Sequence, residues 1–130
     1  MADGFGLATV LDAMHQGVVS CPPQTPLREV ARIMAAQRVH CVVVEGDDDG
    51  WGIVSDLDLV AVLSGGSSGL VARDAAATAA VTLAPAVSLK RAAQLMAENE
   101  TTHLIVAESL GGRPIGVIST LDIVAAFAAG

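Results

Sequence analysis

The side chains best suited to chemistry lie in one element written twice, Gly-x-x-Ser-x-x-Asp: Gly52, Ser55 and Asp58, then Gly116, Ser119 and Asp122. Gly allows close backbone approach at the start of a strand. Ser stands where strand gives way to helix, beside backbone N–H groups with no partner within the helix, a place suited to a phosphate or another anion. Asp, three residues on, shares that helical face. A carboxylate there can accept both hydroxyls of a ribose, as an acidic residue does in dinucleotide folds. Each copy alone also fits a plain structural role, with Ser as N-cap and Asp as partner of the helix dipole. Two copies in matched context point first to a shared architecture and second to a shared ligand.

Other candidate groups are few. His40 and His103 each stand at the start of a short apolar run, where they suit either a ligand contact or a hydrogen-bonded strand end. His15 has no counterpart in the second copy and is expected at the surface. Cys21 and Cys41 form neither a disulfide framework nor a zinc set and read as small buried side chains. No nucleophile elbow, metal-spaced His/Cys set or phosphate loop is present, so the chain does not read as an enzyme.

The elements that would hold these residues come from an internal repeat. Asp12 aligns with Asp74 at an offset of 62, and so do Val19-Ser20 with Val81-Thr82, Pro23 with Pro85, Leu27 with Leu89, and Met34 with Met96. The reading then places one extra residue after the helix, so that His40 meets His103, and one more in the next turn, so that Ser55 meets Ser119 and Asp58 meets Asp122. Each repeat reads as strand, helix, strand, strand, helix. Thr25 caps a helix with Pro26 at its first position, and Leu27, Val30, Ala31, Ile33 and Met34 form its apolar face. Cys41 to Val44 and Trp51 to Val54 make a hairpin across the acidic turn 45–50. A helix follows from Asp56 to about Leu63. In the second repeat, Ser88 caps a helix to about Glu98, residues 104–107 and 115–118 form the hairpin, and Ser119 or Thr120 caps a last helix ending near Ala129. The fold class is therefore α/β of the α+β type, with repeat one over 7–64, a Gly/Ser linker over 65–70, and repeat two over 71–130.

Composition narrows the function. Hydrophobic residues make up 52% of 130 residues and mean hydropathy is +0.58, which excludes disorder. The helices after Ser55 and Ser119 have almost no polar face, so one side of each needs a partner and a homodimer is expected. A net charge of −7 with only three aromatics, Phe5, Trp51 and Phe127, argues against nucleic-acid binding. The residues before Leu7 do not read as a signal peptide, and the Ala-rich stretch 70–89 is interrupted by Arg73 and Asp74, so no membrane span is expected. A cytoplasmic location is the expectation.

The ordered, duplicated marks resemble the CBS domain family, over about 11–63 and 74–127. These marks are Asp12-x-Met14, the Val-Ser/Thr edge strand, Met34 and Met96, His40 and His103, and the Gly-x-x-Ser-x-x-Asp turn. The resemblance implies a stand-alone tandem pair, or Bateman module, its repeats packed sheet to sheet with pseudo-twofold symmetry and two clefts between them. It further implies an adenosyl ligand such as AMP, ADP, ATP or S-adenosylmethionine, with no cofactor required. Asp58 and Asp122 would take ribose, Ser55 and Ser119 would lie near phosphate, and Val19-Ser20 and Val81-Thr82 would hold adenine through backbone groups. Repeat two lacks Lys and Arg between Arg91 and Arg113, which suits its cleft less well to a polyphosphate. Two readings stay open: a regulatory ligand-sensing module acting through dimer packing or on an effector protein in trans, and a ligand-free structural dimerisation module.

Overall fold

A computed structural model describes residues 4–47, 50–66, 69–76, 80–109 and 112–130. Asp3 at the chain start, Asp48 and Asp49 of the acidic turn, and Ser67 and Ser68 of the linker lie outside the described residues. In chain order the elements are α1 (Gly4–Leu7), α2 (Val10–Ala13), β1 (His15–Gln16), β2 (Ser20–Cys21), α3 (Leu27–Gln37), β3 (Cys41–Asp47) and β4 (Gly50–Ser55). There follow α4 (Asp56–Ser64), α5 (Ala72–Ala75), β5 (Thr82–Leu83), α6 (Leu89–Asn99), β6 (His103–Val106), β7 (Gly116–Ser119) and α7 (Thr120–Ala129). The chain is mixed α and β, built from tandem repeats.

Space and sequence divide the chain differently. One compact unit spans Val19–Ala80; the other joins Val81–Gly130 to the start of the chain through Val18. The first unit holds a three-stranded sheet ordered β2-β3-β4, with β2 parallel and β4 antiparallel to β3. The second holds a sheet ordered β1-β7-β6-β5, with β5 parallel to β6. Backbone pairing accounts for the exchange of segments. The N–H of Leu11 donates to the carbonyl of Pro85, and that of Val10 to Val87. At matching positions, the N–H of Arg73 donates to Pro23 and that of Ala72 to Thr25. Each repeat's leading segment thus docks on the body of the other repeat. Asp12 and Asp74 accept the N–H groups of Thr9 and Val71 at 2.8 and 2.9 Å, which fixes the short helices α2 and α5.

The long helices follow their apolar spacing. Val30 and Met34 of α3 are buried, as are Leu89, Ala92 and Met96 of α6. With Val42, Val44, Val54 and Leu59 in one unit and Leu104, Val106, Ile118 and Ile123 in the other, they form two cores. Fully burying such side chains stabilises by about 1.5–3 kcal/mol each. Ser88 caps α6 by accepting from the N–H of Arg91.

Two sequence expectations are corrected. Thr25 does not cap α3: its hydroxyl donates to the carbonyl of Pro22 at 2.8 Å, and Pro26 takes the cap position with α3 starting at Leu27. The second correction concerns register. Cys41 pairs with Ser55 and His103 with Ser119, while Ser20 pairs with Val43 and Thr82 with Ile105. The structural counterpart of His103 is therefore Cys41, and that of His40 is Thr102. No residue is inserted after the helix: the left-handed caps Arg38 (φ 55°) and Glu100 (φ 50°) also stand 62 apart. Both inserted residues fall in the second hairpin, where a turn absorbs them without turning a strand over.

Candidate functional site

Each unit builds the same turn where its last strand enters a helix. Ser55 closes β4 in extended conformation (φ −94°, ψ 166°) and Ser119 closes β7 likewise (φ −109°, ψ 166°). The Ser55 hydroxyl accepts from the N–H of Asp58 at 3.1 Å, and Asp58 Oδ2 accepts from the N–H of Ser55 at 2.8 Å. In the other unit, the Ser119 hydroxyl accepts from the N–H of Asp122 at 3.2 Å, and Asp122 Oδ2 accepts from the N–H of Ser119 at 2.8 Å. These are reciprocal capping boxes, with Asp in the role Glu or Gln more often fills. The turn holds one oxygen of each carboxylate and leaves Oδ1 to other partners.

The second oxygens differ. Among the described residues, Asp58 Oδ1 has no hydrogen-bond partner. Asp122 Oδ1 lies 2.8 Å from His15 Nε2. The His15 side chain is 78% exposed and that of Asp122 is 10% exposed. His15 is at the surface, as expected, yet it partners the carboxylate of the second turn. Sequence reading missed this contact because the partners belong to opposite ends of the chain. The near signal was Gly116, the first residue of β7. A Cβ there would clash with the carbonyl of His15 and lie 3.3 Å from Met14 Sδ, so the glycine admits β1 alongside β7. At the matching Gly52, the nearest neighbour is the Ala76 methyl at 3.1 Å.

The remaining candidates fall around these turns unevenly. His40 is exposed, and its Nδ1 lies 2.9 Å from Asp56 Oδ2 at the head of α4. His103 is buried, with Nδ1 2.8 Å from Thr102 Oγ1. The two histidines thus occupy different environments, in keeping with their different register. β2 and β5 are the edge strands of their sheets. The carbonyl of Val19 accepts from Val43 at 2.9 Å and that of Val81 accepts from Ile105 at 3.0 Å. By pleat alternation, the main-chain groups of Ser20 and Thr82 turn toward the open edge. Ser20, Ser55, Asp58 and His40 belong to one unit; Thr82, Ser119, Asp122, His103 and His15 belong to the other.

Cys21 is buried and Cys41 half-buried. Burial pushes the Cys21 thiol up, with Glu45 adding to the effect and the Thr25 hydroxyl opposing it. No cluster of His, Cys, Asp and Glu among the described residues could hold a metal ion. No helix among them is long and apolar enough to cross a membrane.

The duplicated turn, its edge strand and the exchanged leading segments have a counterpart in known proteins. The model of the CBS domain matches residues 10–65 and again 72–129. The chain belongs to the CBS domain family. As a tandem CBS pair it is similar to several solved structures, all sharing its fold. The CBS domain pair of protein MJ0100, in complex with 5′-methylthioadenosine and S-adenosyl-L-methionine, has a TM-score of 0.83 at 15% identity, covering 94% of this chain and 97% of that one. The CBS domain protein PAE2072 from Pyrobaculum aerophilum, complexed with AMP, has a TM-score of 0.75 at 22% identity, covering 95% and 100%. The hexameric CBS-CP12 protein from bloom-forming cyanobacteria has a TM-score of 0.82 at 23% identity, covering 90% of this chain and 69% of that one. No curated protein matches the chain.

Proposed function

We propose that this CBS pair is a regulatory, non-catalytic module that binds an adenosyl ligand at its strand-to-helix turns. The observation that carries the reading is the duplicated Ser-x-x-Asp box, which holds a carboxylate at the head of a nine- or ten-residue helix with one oxygen beyond the cap's needs. Ribose hydroxyls would donate to Asp58 or Asp122. A phosphate would meet the helix N-terminus by Ser55 or Ser119. Adenine would lie along the Val19-Ser20 or Val81-Thr82 edge and take the outward main-chain groups of Ser20 or Thr82. His40 stands at the head of α4, within reach of a phosphate there, whereas burial leaves His103 a positioning role. The adenosyl ligands named for MJ0100 and PAE2072 support this ligand class. Candidates are AMP, ADP, ATP and S-adenosylmethionine.

The module would act by packing. Leu57, Val60 and Leu63 of α4 are 63%, 60% and 70% exposed, and their counterparts Leu121, Val124 and Phe127 of α7 are 69%, 60% and 65% exposed. Such stripes suit a homodimer, and a ligand that favours one dimer packing over another would pass its signal to an effector protein in trans. A ligand-free interaction module is the second reading, favoured by the capping boxes themselves, since each Asp already serves its helix.

Thermal melting with each candidate ligand separates the two. A ligand at a hundredfold excess over its Kd stabilises by about 2.7 kcal/mol. Asp58→Asn and Asp122→Asn keep an oxygen for the cap and lose the charge, so loss of the ligand effect with an unchanged unliganded melt identifies the turn used. Unchanged melting with every ligand supports the second reading.

A further inference from the structure

We infer that the two turns are unequal and that His15 makes them so, acting as an internal occupant of the Asp122 carboxylate. This rests on the ligand reading above and names the residue that decides between its two sites.

Both carboxylates spend Oδ2 on their own cap, at 2.8 Å in each case. What distinguishes them is Oδ1. At Asp122 it lies 2.8 Å from His15 Nε2. The contact is an ion pair when the imidazole is protonated. At Asp58, Oδ1 has no partner among the described residues. The asymmetry is written into the chain. The repeat offset of 62 that aligns Asp12 with Asp74 aligns His15 with Ala77, and an alanine side chain supplies neither a cation nor a hydrogen-bond donor.

The leading segment is seated to make the contact. His15 pairs with Val117 and Gln16 with Gly116, which places β1 beside the strand that runs into α7. Gly116 lacks the Cβ that would push β1 away. Phe5 closes edge-to-face on Phe127 with ring centroids 5.6 Å apart, tying the start of the chain to the same helix. A ribose at Asp122 must therefore displace an imidazole or share one oxygen with it, whereas at Asp58 no side chain among the described residues competes for Oδ1. Asp58 is the receptive site, and Asp122 is the site held in reserve. Because His15 is largely exposed, the handicap is that of a surface pair, about fivefold in affinity at most.

The test is an amide NMR titration of the full chain with AMP, following the Ser55–Asp58 and Ser119–Asp122 resonances separately in wild type, His15→Ala and His15→Gln. The inference predicts that the Ser55–Asp58 turn responds at lower AMP than the Ser119–Asp122 turn in wild type. It predicts that His15→Ala tightens the second turn about threefold to fivefold and leaves the first unchanged. His15→Gln, which keeps a donor, falls between wild type and Ala. Equal response of both turns in wild type, or a second turn unmoved or weakened by His15→Ala, overturns the inference and leaves the ligand reading standing. Silence at both turns in all three proteins removes the ligand reading and the inference with it.

Discussion

At the residue scale, Ser55 and Ser119 each satisfy a helix N–H that water would otherwise have to reach. Alanine at either position should cost about 0.5–2 kcal/mol of stability, read by denaturant melting. Ser55 is the more buried of the two and should lie toward the upper end. Cys21 offers a pH-dependent readout. Its thiol is raised mainly by burial, so the folded chain favours the protonated form. That contribution is fully present below the unfolded thiol's ordinary value, about 8.5, and is lost as pH rises above it. Stability should fall more steeply on the alkaline side in wild type than in Cys21→Ala. The local boxes were legible in the sequence because Ser and Asp sit three residues apart. The partner of Asp122 was not, because His15 reaches it only through the exchange of leading segments.

At the element scale, length decided what could be read. α3 and α6 each run eleven residues, enough for apolar spacing to show. α1, α2 and α5 have four residues each and β1 has two, too few for any period. The histidine alignment failed for a different reason: matching side-chain identity at His40 and His103 outweighed the strand register that pairs Cys41 with Ser55 and His103 with Ser119. The left-handed caps follow the true register and suggest a stabilising change. Glu100 has φ 50°, a conformation that costs a residue with a Cβ about 1–2 kcal/mol. Glu100→Gly should raise stability by about 0.5–1 kcal/mol once the added freedom of the unfolded chain is offset. The opposite holds at Gly116. A methyl there meets the His15 carbonyl, so Gly116→Ala should destabilise by about 1–3 kcal/mol and speed amide exchange along β1. Gly52→Ala, whose nearest described neighbours are the Ala76 methyl at 3.1 Å and the Val44 Cβ at 3.6 Å, should cost less.

At the scale of the whole molecule, the apolar excess has a visible destination. Three large side chains at matching positions on α4 and α7 stand 60–70% exposed, more than a small chain at mean hydropathy +0.58 would leave to water without use. Light scattering should give a dimer mass for wild type, and Leu57→Glu with Leu121→Glu should give a monomer with its melting largely kept, since neither side chain belongs to a core. The central claim is that Asp58 holds an adenosyl ligand, and calorimetric titration of wild type and Asp58→Asn with AMP tests it most directly. Removing a charged acceptor from a hydrogen-bonded contact costs about 1.5–3 kcal/mol, so the account predicts saturable heat in wild type and, in the variant, loss of the tighter phase with only the Asp122 turn left, weaker by up to about fivefold. Equal affinity in both proteins, or no heat from a folded wild type freed of bound nucleotide, would contradict it.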